Sequence, residues 1–364
     1  MENFVYKSFV RPLLFQMDAE EAHDLGHKLL PPSRGLMDVV SNYYLQPVSS
    51  SLPLLETNIA GRKLSHPLGL AAGFDKNARL LPELAALGFS FAEVGSVTAV
   101  SSIGNQRPRI FRLQKDGAVI NRLGLNGEGA LAVSARLRSK IGLASLPLAL
   151  NIAPSNLPAG ELVMEEDIAR TFDCFKDLPL TYITINTSCP NTHEGVLKES
   201  SQLRLVLQRV CSLNTYNVPL FLKLSPDAGD DFLRHTVELS QEFGIRGFVL
   251  GNTSTSREGL TTDPDLVAAI GNGGLSGPPV RQMALALVRR VARLKSNEQE
   301  IIACGGISQV EHVLDAIKSG ARAVQIYTAL IYEGPFHIIK LRRDLALAVE
   351  RLGRPLQSLI GSDL

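Results

Sequence analysis

An excess of charge of either sign is missing from this chain: 37 Lys and Arg residues oppose 36 Asp and Glu over 364 residues, a formal charge of +1. Such a balance leaves no global field to hold a polyanion, so no nucleic-acid partner is expected. Cysteine is scarce. The four, Cys174, Cys189, Cys211 and Cys304, show neither a C-x-x-C spacing nor a Cys/His pairing of zinc type, which argues against a disulfide framework or a structural metal and points to a reducing compartment. No uninterrupted apolar run approaches the ~18–20 residues that cross a bilayer, and the start, MENFVYKSFVRPLLFQ, lacks the h-region and cleavage site of a signal peptide. Disorder is excluded for most of the chain by a composition 45% hydrophobic and only 20% charged, which supports a large core.

What is present is a rhythm. From about residue 66 onward, short apolar β-branched runs alternate with segments of helical period, the pattern of a parallel sheet with helical crossovers. Eight strands are expected: 68–72, 91–97, 146–152, 182–186, 220–224, 247–251, 300–304 and 323–327, each followed by Gly, Asn, Ser or Pro. Eight such units predict an α/β fold of TIM type, a closed (β/α)8 barrel spanning residues 53–364. Helix ends are legible too: Ser308 to Glu311 reads as a capping box, and 77–87 as a helix stopped by Gly88.

Residues 1–48 break the rhythm and read as a separate helical extension. Its first segment crowds Phe4, Val5, Phe9, Val10, Leu13, Leu14 and Phe15 around Lys7 and Arg11, an apolar surface in want of a partner. A second helix begins at Asp18, with Glu21 three positions on, and the run Pro31-Pro32-Ser33-Arg34-Gly35 is expected to end it. The segment from Pro47 to Pro53 reads as the linker.

Polar residues gather where strands end, the rim at which such barrels place their chemistry. They are Gly73-Phe74-Asp75-Lys76, Ser96, Asn151, Asn186, Lys223, Asn252, Gly305-Gly306 and Tyr327-Thr328. The glycines of the last two strands, with Gly273-Gly274-Leu275-Ser276-Gly277, can present backbone N–H groups to a phosphate. The densest cluster runs from Asn186 to Thr192, joined by Asn121 to Asn126 and by Asn252-Thr253-Ser254. Neutral amides donate and accept, which suits a flat heterocycle with alternating N–H and C=O groups. Each Asn alone is more often a turn residue; convergence at strand ends favours the ligand. Cys189 lies inside this cluster, and a thiol positioned there can take a proton without a strong neighbouring base.

These motifs resemble the quinone-using, membrane-associated (class 2) dihydroorotate dehydrogenases, from Phe9-Val10-Arg11 to about Pro335. The likeness is carried by Leu70 to Asn77, Arg107 to Leu113, Asn121 to Gly124, Asn186 to Thr192, Gly274 to Gly277 and Val324 to Tyr327, in family order. The resemblance implies oxidation of (S)-dihydroorotate to orotate in pyrimidine synthesis, with FMN as hydride acceptor and a membrane quinone as final acceptor. It implies an FMN phosphate near Gly277, Gly306, Tyr327 and Thr328, with the remaining cofactor contacts from Ala72, Gly73, Phe74, Asp75, Lys76, Ser96, Asn151, Asn186, Lys223 and Gly251. Substrate would be read by Lys76, Asn121, Arg122, Leu123, Gly124, Leu125, Asn186, Asn191, Asn252 and Thr253, with Cys189 as the base. His23, Arg112 and Tyr327 would lie along a quinone tunnel formed with the extension. A peripheral location on the cytoplasmic face of a bacterial inner membrane follows from the same likeness, a mitochondrial inner membrane or the cytoplasm being the alternatives.

The chain departs from that branch at four positions. Cys189 and Leu125 are what soluble members show where quinone users carry Ser and Phe, and Ser96 and Gly251 stand where Thr is usual. These departures keep a second reading open, a paralogous FMN oxidoreductase acting on a different cyclic amide or using a soluble acceptor. A lyase using Lys223 or Lys76 as a Schiff base explains neither the amides nor the extension. A metal on His23 and His27 lacks a third ligand.

Overall fold

A computed structural model describes residues 2–144, 146–156, 163–187 and 200–364. Eight parallel strands close into a barrel: β1 Leu68–Leu70, β2 Phe91–Val97, β3 Leu148–Ile152, β4 Ile183–Asn186, β5 Leu220–Leu224, β6 Gly247–Leu250, β7 Glu300–Cys304 and β8 Ala323–Ile326. Each pairs with its successor, and β8 closes on β1 through Val324 opposite Leu68 and Ile326 opposite Leu70. All eight predicted strands are therefore found, trimmed by one or two residues at some ends.

The two-residue side-chain period of a strand stacks the barrel interior in layers. Phe91, Ala149, Tyr182, Phe221, Val249, Ile302 and Ala323 form an apolar floor, buried together with Ile59 and Leu64 of the hairpin Thr57–Ile59/Arg62–Leu64. That hairpin is anchored where Ala60 N–H donates to Glu300 Oε2 at 2.7 Å. Two residues further along, the same strands carry Glu93, Asn151, Thr184, Lys223, Cys304 and Gln325, a polar layer beneath the strand ends. Burying that many polar groups is tolerable only if they are hydrogen-bonded to one another.

The extension holds short helical turns from Glu2 to Gln16 and a long helix, Ala19–Leu45. Asp18 caps that helix as expected, its carboxylate accepting from Glu20 N at 2.8 Å and Glu21 N at 3.2 Å. The expected stop does not occur: the helix runs through Pro31 and Pro32 for three more turns. Interior proline costs a helix ~3 kcal/mol, and tertiary packing offsets it here, since Leu30 and Met37 join the main core while Val40 and Leu45 pack with Ile339.

Two other expected helix ends differ. The segment 77–87 is helical only over Leu81–Ala86, because Ala78 adopts φ +54° and the Asp75 carboxylate takes the N–H groups of Arg79 and Leu80, both at 2.8 Å. The Ser308 to Glu311 box does not form: the helix is Val310–Lys318, and Ser308 N–H donates to His312 Nδ1 instead. A three-stranded antiparallel sheet, Ile110–Leu113, Ala118–Asn121 and Gly274–Ser276, was not expected. It carries Asn121 and Ser276 to the cavity described next.

Candidate active site

A cavity of about 790 Å³ opens at the strand ends and continues beneath the extension. Its polar end is lined by Lys76, Ser96, Asn121, Asn186, Lys223, Asn252 and Thr253, and its apolar end by residues such as Leu14, Phe15, Ala22, Leu30, Met37 and Ile331.

Two amides at the polar end, Asn186 and Asn252, belong to one hydrogen-bonded series. Asn252 Nδ2 donates to Asn186 Oδ1 at 3.3 Å, and Asn186 Nδ2 donates to Ser96 Oγ at 3.3 Å. Ser96 Oγ donates to Asn151 Oδ1 at 2.5 Å, and Asn151 Nδ2 donates to Glu93 Oε1 at 2.7 Å. Asn121 Nδ2 donates to Gly274 O at 3.4 Å, and Lys76 Nζ to Asn126 Oδ1.

Beside them lies a cradle of bare backbone. Gly277 has φ +104° and Gly306 φ +67°. A Cβ on Gly277 would meet Gly117 O at 2.8 Å, and one on Gly306 would meet Gly277 O at 2.9 Å. Thr328 Oγ1 donates to Ser276 Oγ at 3.0 Å on the same wall. Side chains are excluded here by contact, which leaves main chain facing the cavity, the surface a phosphate needs. One polar atom below it, Gln325 Oε1, is buried with no partner among the described residues. These features fit a phosphate-bearing cofactor with a hydrogen-bonding ring.

The wall turns apolar through rings packed edge-on or tilted. Phe74 contacts Tyr327 at 5.9 Å, His27 at 5.0 Å and His23 at 5.6 Å between centroids, and the two histidines are 4.1 Å apart. Burial raises the Tyr327 hydroxyl to about 12 and lowers the His23 imidazole to about 3. His27 is lowered too, first by burial. Among the described residues no cluster of three or more metal-ligating side chains accompanies this pair.

The His23 shift has a consequence for stability. Its folded value lies below the unfolded ~6.5, so above that pH the imidazole is neutral in both states. Below it the unfolded chain takes up a proton that the folded chain refuses, and stability falls by roughly 1.4 kcal/mol per pH unit. Urea midpoints should therefore drop more between pH 7 and pH 5 in the parent than in a His23→Phe variant. Equal drops would mean that His23 is protonated in place.

Arg112 joins the barrel to the extension. Its Nη1 donates to Leu14 O at 2.9 Å, its Nη2 to Met17 O, and its guanidinium lies 4.7 Å from the Phe15 ring. Arg109 makes a second join, buried at 5% exposure: Nε and Nη2 meet the Glu20 carboxylate at 2.9 and 2.7 Å, and Nη1 donates to Ile103 O and Asn105 O. The Arg109 hydrogen bond, foremost, holds Glu20 below the usual carboxylate range. Asn105 sits 2.6 Å from where a Gly124 Cβ would stand and donates to Arg122 O at 2.9 Å, so it supports the wall segment Leu123-Gly124-Leu125.

Most expected site residues therefore line one cavity, including His23, Phe74, Gly73, Ala72 and Tyr327. Four stand behind the wall. Arg122 donates to Ile270 O and Pro108 O; Asp75 shapes the loop after β1; Asn151 is wholly buried between Glu93 and Ser96. Gly251 has φ +111°, and a Cβ would stand 1.7 Å from Cys304 O, so this backbone excludes the Thr usual there. Cys189 and Asn191 lie outside the described residues. Sequence reasoning missed Glu20 and Glu93 and named Arg109 and Gln325 only as members of motifs; Glu93 and Gln325 carried a further signal, each a polar residue inside a largely apolar strand, which burial obliges to find partners.

The family model described as Dihydroorotate dehydrogenase matches residues 54–348. The chain is similar to the dihydroorotate dehydrogenase (quinone) of Thermobifida fusca, 38% identical and covering 96% of this chain and 94% of the relative. It is similar to that of Natronomonas pharaonis, 37% identical with 98% of each covered. Among solved structures it resembles DHODH of Eimeria tenella in complex with ferulenol, with TM-score 0.79, 29% identity, and 96% of this chain and 98% of the other covered.

Proposed function

Because the chain belongs to the dihydroorotate dehydrogenase family, we propose that it oxidises dihydroorotate to orotate and passes the electrons to a membrane quinone. The observation that carries this reading is the continuity of one cavity from an amide-lined end to an apolar end under the extension. A soluble acceptor would need no such apolar approach. At Gly251 the absence of a Cβ lets the Cys304 carbonyl approach closely.

The Gly277, Gly306 and Thr328 cradle would hold the phosphate of FMN, with Ala72, Gly73, Ser96 and Lys223 around its ring. FMN, when bound, supplies the hydride acceptor for substrate and the electron donor for quinone. Asn121, Asn186, Asn191 and Asn252 orient the pyrimidine by donating to its carbonyls and accepting from its N–H groups. Lys76 and Lys223 place positive charge beside the substrate carboxylate and any negative charge that develops at the ring. Cys189 removes the C5 proton as the C6 hydride departs. His23, Arg112 and Tyr327 offer polar contacts to a quinone head that enters through residues 1–48, the barrel of 53–364 holding the rest.

No helix among the described residues is long and apolar enough to cross a membrane. Phe4, Phe9, Leu13, Leu36 and Val39 are exposed on the extension, with Lys7 and Arg11 beside the first three. That combination fits attachment to a membrane surface without crossing it. Anaerobic titration of the purified protein with dihydroorotate is expected to bleach a bound flavin band, and a quinone is expected to restore it. Protein that binds no flavin, or a flavin that dihydroorotate leaves oxidised, would end this reading.

A further inference from the structure

We propose that Glu93, which borders neither solvent nor the cavity, is a positioning residue that fixes which way the substrate-reading amides face. It is fully buried and accepts four hydrogen bonds: from Asn151 Nδ2 and Gln325 Nε2, both at 2.7 Å, and from the Tyr182 and Thr184 hydroxyls, both at 3.1 Å.

A carboxylate accepts and does not donate. Asn151 must therefore turn its NH2 group down toward Glu93 and its carbonyl up toward Ser96. Ser96 has one proton, which it gives to that carbonyl, and its oxygen is left to accept from Asn186 Nδ2. The Asn186 carbonyl is then the end that accepts from Asn252 Nδ2, and the Asn252 carbonyl accepts from Thr253 N–H at 2.9 Å. The orientations of Ser96 and Asn186 follow from the one beneath, and that of Asn252 agrees with the fixed main-chain donor of Thr253.

The two ends of an Asn side chain have nearly the same shape, so packing does not choose between them. The choice comes from the acceptor-only group in the barrel interior. Reversing Asn151 would turn its NH2 onto the Ser96 oxygen and swing the Ser96 proton up to Asn186, whose amide would then turn as well and meet the ring with a donor where an acceptor belongs. In a buried network such a mismatch is strongly unfavourable. This inference rests on the proposed function only in taking the ring to be read by Asn186 and Asn252.

The test is a cycle of Glu93→Gln, Asn151→Asp and the double variant, followed by orotate affinity from the flavin spectrum and by melting of the purified protein. Glu93→Gln is nearly isosteric but sets an NH2 against Asn151 or against three other donors. It should weaken orotate binding by about tenfold to a hundredfold. Asn151→Asp alone places two carboxylates face to face and should be worst. The double variant moves the carboxylate across the same hydrogen bond: the new glutamine donates to the new aspartate, which still accepts from Ser96. Binding should return to within about threefold of the parent.

Orotate affinity unchanged in Glu93→Gln, or no better in the double variant, would overturn the proposal. Should Glu93→Gln fail to fold, recovery of folded protein in the double variant is the expected result, and its failure overturns the proposal equally. A parent that binds no orotate would reject the functional reading, while the four melting temperatures, which need no ligand, still decide the claim: the double variant must melt above Glu93→Gln.

Discussion

Flavin reduction by dihydroorotate in a Cys189→Ala variant is expected to slow by about 10²–10⁴-fold, the usual weight of a positioned general base. FMN should stay bound, because the proposed phosphate cradle is built from Gly277, Gly306 and Thr328. Anaerobic stopped-flow absorbance reads the step directly. Cys189→Ser separates proton transfer from mere space-filling: serine is the weaker acid, so the pH dependence of flavin reduction should move upward. A pH profile identical to the parent's would remove Cys189 from the proton step.

The second large effect is expected at Glu20. Replacing it by alanine leaves the Arg109 guanidinium buried with its carboxylate gone, a change that costs about 3–5 kcal/mol when a buried pair is broken from one side. The loss should reach the substrate as well. Arg109 holds the carbonyls of Ile103 and Asn105, and Asn105 supports Gly124 on the cavity wall. Glu20→Ala should therefore lower the urea midpoint and raise KM for dihydroorotate as well as for quinone. A variant whose only defect lay in quinone reduction would show that the ion pair serves the extension alone. For the same reason, removal of residues 1–45 is expected to impair the dihydroorotate half-reaction, not only reoxidation by quinone.

Much of this molecule was legible in its residue order. The eight barrel strands announce themselves because each is a short buried run ending in a turn residue, and a closed barrel then forces Lys76, Asn186, Lys223 and Asn252 toward one opening. Asp18 was legible as a cap because capping is local. What escaped depends on contacts distant in sequence. Pro31 and Pro32 signal a helix end by local chemistry, and only packing on the barrel's flank carries the helix past them. The Ser308 box lost to His312, which supplies a competing acceptor four residues on. The Glu20–Arg109 pair spans 89 positions, and neither side chain is unusual in its own neighbourhood. Gly251 stood out as a departure, but the close approach of the Cys304 carbonyl on the neighbouring strand belongs to the three-dimensional arrangement.

The way the first turns of the chain are fastened bears on how such an enzyme changes its membrane partner. Tyr6 Oη donates to Ile331 O, Arg11 Nη1 to Tyr332 O, and Arg112 to the carbonyls of Leu14 and Met17. Apart from the Lys7–Glu333 ion pair at 2.6 Å, the acceptors in this seam are main chain, which all twenty amino acids supply alike. Residues at 14, 17 and 331 can thus be exchanged for others of suitable bulk without breaking these bonds, and the channel can be re-lined for a longer or shorter lipid tail while the ring chemistry underneath is left as it stands.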